Sequence, residues 1–259
     1  MKIGTCTQIA NYEAVCSIGY DYIELEGLAV AAMDNAQFAS TLNQVKNGPI
    51  PCVGFNSFAP ATIKIAGPEY DRSKACEHAK LVIDRAAQLG CKTVGIGSPG
   101  ARNLPQGYPY EKGVADYTQF SADCADLAKS YGIWVLAEAV CSGMTNLINT
   151  TKEALAVVQQ LNRDNVGLTL DLYHFVYEKE SITEIPQYVP YVKHAHIANF
   201  SNRGQLVEAH YNEYKALISE LKRCGYNGTI SVESGPFHVE REAPVSLKIL
   251  RSIDRETSK

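Results

Sequence analysis

Four residues with metal-ligand chemistry sit at or near the ends of four successive apolar stretches. Glu138 lies near the end of IWVLAEAV, Asp171 ends VGLTLD, His196 lies in VKHAHIAN and Glu233 ends GTISVE. The separations are 33, 25 and 37 residues, each about the length of one strand–helix repeat. Three carboxylates brought together without a cation repel and raise each other's pKa. A divalent ion removes that repulsion. Two Glu, one Asp and one His offer mostly hard oxygen donors. Such a set suits Mn2+ most, with Mg2+ or Co2+ also compatible; zinc more often takes several nitrogen or sulfur ligands. Open positions on the ion would hold carbonyl and hydroxyl oxygens of a substrate.

Each residue alone has a plainer reading. Glu138 could be a salt-bridged strand end, Asp171 a cap for the following turn, His196 a satisfied core histidine, and Glu233 a helix N-terminal acid. The set carries the argument, together with its parity. Side chains alternate faces along a strand. Asp171 shares a face with Thr169, opposite Leu168, Leu170 and Leu172. His194 and His196 share a face, as do Ser231 and Glu233.

The elements that must position these residues alternate along the whole chain. Strands are expected at residues 1–7, 21–27, 51–58, 92–97, 133–140, 166–175, 192–199 and 228–233, with residues 173 and 174 giving way to a loop. Helices are expected at 11–18, 34–45, 70–89, 113–131, 151–161, 186–191, 212–224 and 243–254. Gly19, Gly90 and Gly225 stand where helices stop, and Asp34 or Asn35 where one starts. A Gly- and Pro-rich loop, SPGARNLPQGYPYEK, spans 98–112; a loop this long on a compact scaffold is often functional. Eight alternating units imply a parallel sheet, and in this length a single α/β domain over residues 1–259, a closed (β/α)8 TIM barrel. The competitor, an open doubly wound sheet, usually has fewer strands. No GxGxxG follows the first strand, which argues against a dinucleotide fold. In a barrel the C-terminal strand ends gather at one mouth, where barrel enzymes place their chemistry.

Composition sets the bounds. The 259 residues are 46% hydrophobic and 20% charged, with a net charge of -4. No basic patch rich in aromatics marks a nucleic-acid partner, and no apolar run reaches the roughly 20 residues of a membrane span. Eight cysteines form no CxxC pair. With a strand starting at Lys2 and no signal peptide ahead of it, the expectation is reduced thiols in a cytoplasmic protein.

GSPGARNLPQGYP (97–109), NLINTTKEAL (146–155), VGLTLDLYHF (166–175), VKHAHIANFSNRG (192–204) and CGYNGTISVE (224–233), with the opening MKIG, resemble the xylose isomerase-like barrel superfamily, in particular its small sugar isomerase/epimerase group. The resemblance covers essentially the whole chain. It implies that Glu138, Asp171, His196 and Glu233 are metal ligands. It further implies that Glu138 and Glu233 flank the substrate as the catalytic acid/base pair, and that His174 and Arg203 hold substrate oxygens. The plainer alternatives are a loop histidine bonded to backbone and a surface arginine. The chain also departs from the group. Many relatives read EPLNR and then a second Glu after the fifth strand; here Cys141, Ser142 and Met144 replace the Asn, Arg and Glu. Asn199 stands where an Asp is common. The pocket near 141–144 is therefore expected to be less polar, and Glu208 and His210 could supply replacement polar groups.

The expected function is a metal-dependent isomerase or epimerase acting beside the carbonyl of a keto-sugar, with a small carbohydrate as partner. The alternative is a lyase on the same chemistry, either an inosose-type dehydratase or a 3-keto-glycoside eliminase. A barrel that binds without catalysis is a third reading, opposed by the intact quartet. An endonuclease would need more histidines and a basic face. A homo-oligomer is compatible with such a barrel, but no interface signature stands out.

Overall fold

The computed structural model describes residues 1–257. Eight strands close into a parallel barrel in the order β1 to β8. They are β1 Lys2–Cys6, β2 Tyr22–Glu26, β3 Cys52–Asn56, β4 Thr93–Ile96, β5 Trp134–Glu138, β6 Val166–Asp171, β7 Val192–Ile197 and β8 Thr229–Val232. The helices around them are α1 Tyr12–Ile18, α2 Gly27–Ala32, α3 Asn35–Asn47, α4 Arg72–Leu89, α5 Pro99–Arg102, α6 Tyr110–Lys129, α7 Thr151–Leu161, α8 Leu172–Tyr177, α9 Ile185–Tyr188, α10 Tyr211–Arg223 and α11 Val239–Glu256. The expected fold class holds. Strands covered on both faces explain the long apolar runs: all six residues of β6 are buried.

Local signals set most boundaries. Asp34 and Gln37 form a capping box on α3, and Thr150 and Glu153 form another on α7. Asp71 accepts from the backbone N–H groups of Ser73 and Lys74 at the start of α4. Gly90 ends that helix at φ 81°, a left-handed conformation open to glycine at no steric cost. No helix among the described residues is long and apolar enough to cross a membrane.

Three expectations need correction. The 98–112 stretch is not all loop: α5 lies inside it and α6 begins at Tyr110, behind Pro109. The chain after Asp171 turns into α8, so Tyr173 and His174 are helical. Asp171 itself causes this by capping the new helix. The final helix starts at Val239, ahead of Pro244, and Glu242 accepts from the His238 N–H at 2.8 Å to hold its first turn.

Register fixes the site. Glu138 pairs with Thr169 across β5–β6. Asp171 pairs with His196 across β6–β7, and His196 with Ser231 across β7–β8. Neighbouring strand ends therefore present their polar side chains to the barrel axis at one end.

Candidate metal centre and active site

Glu138 and Asp171 are the last residues of β5 and β6, and His196 the fifth of β7. Glu233 follows β8 directly, and its N–H donates to the Ile197 carbonyl at 3.0 Å. All four are buried. Glu138, Asp171, Glu233 and His174 each offer a ligand atom within 4.8 Å of the others. His196 joins them through Nδ1, which lies 3.3 Å from Glu138 Oε1 and 3.7 Å from Glu233 Oε2. The structure thus brings the four expected residues together, and adds a second histidine.

Hydrogen bonding separates the roles of the two histidines. The Cys141 N–H donates to His174 Nδ1 at 3.3 Å. That nitrogen is an acceptor, so the proton of the neutral ring sits on Nε2, 3.5 Å from Asp171 Oδ2. A protonated Nε2 donates and does not ligate. In His196 the order is reversed. Its Nε2 lies 3.3 and 3.4 Å from the two oxygens of Glu24. Both ring nitrogens face carboxylates, which only accept; with a cation among Glu138, Asp171 and Glu233 the Nδ1 lone pair would turn to it, and Glu24 is placed to take the Nε2 proton. The geometry suits His196 to ligate through Nδ1 and His174 to donate from Nε2.

Asp171 divides its two oxygens. Oδ1 accepts from the N–H groups of Tyr173 at 2.7 Å and His174 at 3.4 Å, which is the capping role its position suggested. Oδ2 is buried and accepts no hydrogen bond among the described residues, with His174 Nε2 standing off at 3.5 Å. A buried anionic oxygen without a partner is costly. Three converging carboxylates, one of them short of a partner, and an imidazole lone pair form a donor set that fits a hard divalent cation.

Glu233 is held at both oxygens. Asn56, at the end of β3, donates from Nδ2 to Oε1 at 2.6 Å, and Arg203 donates from its guanidinium to Oε2 at 2.6 Å. Burial opposes ionisation, but Arg203, His196 and Asn56 outweigh it and hold the carboxyl at about 2. Arg203 is aimed by a tight turn in which its N–H reaches the Asn199 carbonyl at 2.8 Å and its φ is 55°. Asn199 Oδ1 accepts from the Ser201 N–H, a bond an Asp would make equally well. For His174 burial also opposes protonation, and the Asp171 charge overcomes it, so its pKa is raised.

Glu138 is positioned from its other side. Gly97 follows β4 so closely that a Cβ there would stand 2.3 Å from Glu138 Oε2. The fully buried Arg102 of α5 donates to the Glu138 carbonyl at 2.9 Å and packs over the Tyr117 ring.

The 141–145 turn brings no carboxylate of its own to the site. Cys141 is buried, Met144 is exposed, and Ser142 donates from its N–H and hydroxyl to Glu178. His210 does not enter the pocket as a replacement group: its ring is taken up by Ser201 and Glu213, and Glu208 is exposed. A cavity of about 320 Å3 opens at the mouth beside Arg203, lined also by Cys6, Gln8, Asn11, Asn56 and Phe237. Sequence reasoning missed Asn56, Arg102 and Glu24. The signal for Glu24 was its parity, opposite Ile23 and Leu25 on a strand that a barrel buries on both faces.

Cys6, Glu24 and His196 make a second group with ligand chemistry. Burial and then the Glu24 charge push the Cys6 thiol well above its ordinary value, and Glu24 is already occupied by Ser231, His194 and His196. A neutral thiol and a satisfied carboxylate do not invite a cation.

Residues 12–253 match the family model described as xylose isomerase-like TIM barrel. A ketose 3-epimerase of Arthrobacter globiformis is 33% identical over 123 residues, 47% of this chain and 42% of that enzyme. The match therefore spans less than half of that enzyme's length. An L-ribulose 3-epimerase of Mesorhizobium japonicum is 26% identical over 221 residues, 83% of this chain and 71% of that enzyme. The solved structure of a 3-keto-D-glucoside 4-epimerase from E. coli superposes with a TM-score of 0.80 at 17% identity, covering 98% of this chain and 99% of that one. At that identity the likeness establishes the fold alone.

Proposed function

The chain belongs to the xylose isomerase-like TIM barrel family, and from that premise we propose that it is a divalent-metal-dependent isomerase or epimerase of a keto-sugar or sugar derivative. The observation that supports the reading is the Asp171 Oδ2, buried with no hydrogen bond among the described residues, converging with Glu138, Glu233 and the Nδ1 face of His196. These four would hold the ion, with Mn2+ preferred over Mg2+ or Co2+ for its tolerance of mixed oxygen and nitrogen donors. When bound, such an ion polarises a carbonyl and acidifies the neighbouring C–H.

The chain's own residues do the rest. Glu138 and Glu233 flank His196 and act as the proton carriers, one removing a proton from the substrate carbon and the other returning one. Glu233 suits the accepting role, since Arg203 and Asn56 keep it ionised at neutral pH. His174 Nε2–H and the guanidinium of Arg203 are the donors for substrate oxygens, and the buried setting excludes competing water. Epimeric and isomeric sugars named for the relatives fit this chemistry.

A second reading follows from the 141–145 turn. With Ser142 tied to Glu178 and no carboxylate from the turn itself, that side would suit a substrate with a less polar part. Proton removal beside the carbonyl of a 3-keto-glycoside, followed by loss of the aglycone, would be a lyase reaction.

The test is incubation of the Mn2+-supplemented protein with keto-sugars and 3-keto-glycosides in deuterated water. Deuterium at the carbon beside the carbonyl in a sugar of unchanged composition supports the isomerase or epimerase. A product lacking water or an aglycone supports the lyase. No exchange and no metal uptake overturns both.

A further inference from the structure

Glu24 is a carboxylate in the middle of β2, 2% exposed, whose ion-pair partners among the described residues are histidines, not Lys or Arg. Burying such a group is costly unless donors surround it. Three donors do. The Ser231 hydroxyl reaches Oε1 in a short hydrogen bond. His194 Nε2 lies 2.6 Å from Oε1, and His196 Nε2 lies 3.3 and 3.4 Å from the two oxygens.

The donors are themselves fixed. His194 Nδ1 is bonded to the Thr229 hydroxyl at 2.6 Å. Ser231 Oγ lies 3.0 Å from the Tyr22 hydroxyl. Ser231 has one proton and Glu24 can only accept, so Ser231 donates to Glu24 and Tyr22 donates to Ser231. Tyr22 in turn occupies space that only a glycine leaves open: a Cβ on Gly4 would stand 2.1 Å from its ring. The carboxylate is thus locked from β1, β7 and β8.

We infer that Glu24 is the positioning residue that selects the tautomer of His196, keeping the proton on Nε2 and the Nδ1 lone pair on the side of Glu138, Asp171 and Glu233. Without an acceptor at Nε2, the ring would be free to place its proton on Nδ1, where Glu138 Oε1 is 3.3 Å away and accepts equally well. That tautomer offers no lone pair to a cation. Glu24 touches neither substrate nor ion; it acts through the imidazole, as carboxylates behind metal-bound histidines do. The inference rests on the proposed Glu138–Asp171–His196–Glu233 metal centre.

The experiment is calorimetric titration of the metal-stripped protein with Mn2+, wild type beside Glu24→Leu, which removes the acceptor, with 15N spectra of the histidines in the Mg2+-loaded forms. The expected result is about 10- to 100-fold weaker Mn2+ binding in Glu24→Leu, and a His196 Nε2–H signature in wild type that gives way to a mixture of tautomers. Ser231→Ala, which removes one anchor of Glu24 and should fold if Glu24→Leu does not, is expected to weaken Mn2+ in the same direction by a smaller factor. Unchanged Mn2+ affinity in every variant that folds, with His196 still protonated on Nε2, overturns the role of Glu24 and leaves the proposed centre standing. No Mn2+ or Mg2+ binding by wild type overturns the centre itself, and this role with it.

Discussion

Gly97 and Glu138 stand so close that one methyl group would separate them: a Cβ on Gly97 would lie 2.3 Å from Glu138 Oε2. The nearest atom is the end of a side chain, so the added methyl can be relieved by swinging the carboxylate away. Gly97→Ala is therefore expected to spare the fold and damage the site. Misplacing a reacting group by about 1 Å costs on the order of 100-fold in rate. The expected outcome is a fall of at least about tenfold in kcat with a melting temperature within a few degrees of wild type. Unfolding of the variant, or full activity, would count against this account of Glu138.

The two histidines are expected to behave differently on removal. His196→Asn should strip the protein of its ion, because the Nδ1 lone pair is lost. His174→Asn should keep about one ion per chain and lower kcat/KM by about 100-fold, the ordinary yield of one well-placed donor or proton carrier. Elemental analysis of the two purified variants, with a rate assay on the active sugar, separates these outcomes. Metal loss in His174→Asn and retention in His196→Asn would reverse the tautomer assignment drawn from Cys141 and Glu24.

How much of this was legible beforehand differs by residue. The convergence of Glu138, Asp171, His196 and Glu233 followed from strand parity and repeat spacing, because a closed parallel sheet turns even spacing into one mouth. For His174 the sequence leaves open a backbone-bonded histidine or a substrate donor. Its Nδ1 takes the Cys141 N–H, as in the first, and its Nε2 lies 3.5 Å from Asp171 Oδ2. Glu24 could be seen as a polar residue on an apolar strand, but its partners come from β7 and β8, and no local pattern encodes a pairing across the barrel. Arg102 lies in a Gly- and Pro-rich stretch that looked like loop. A charged residue there suggests solvent, and its burial depends on partners distant in sequence, the Glu138 and Ile148 carbonyls and the Tyr117 ring.

Arg102 supplies a third prediction. Its guanidinium donates to the Glu138 carbonyl at 2.9 Å and the Ile148 carbonyl at 3.3 Å. The Ile148 carbonyl also accepts from the Val140 N–H, so Arg102→Met leaves chiefly the Glu138 carbonyl without this donor. An unsatisfied buried group costs about 1–3 kcal/mol. In a domain of this size that lowers the melting temperature by roughly 3–10 °C. A thermal melt of Arg102→Met measures it. A melting temperature equal to wild type would mean that the carbonyl finds another donor.

The closure of the barrel is expected to weaken in acid through Asp21. This carboxylate accepts from the Ile3 N–H at 2.7 Å and from Arg251 of α11 at 2.8 Å, tying β1 and the final helix to the start of β2. Burial opposes its ionisation, but Arg251 and the Ile3 N–H win and its pKa is lowered. The folded pKa lies below the unfolded value of about 3.9. The stabilisation is therefore fully present above that value and is lost as pH falls through the lowered folded pKa. Asp21→Asn should be less stable than wild type at pH 7, and the gap should narrow below about pH 4 as the wild-type carboxyl takes up its proton. Urea unfolding of both metal-stripped proteins at pH 7 and near pH 3 gives the comparison. A gap that stays constant across that range would show that the Asp21 charge contributes nothing and only its hydrogen-bonding shape matters.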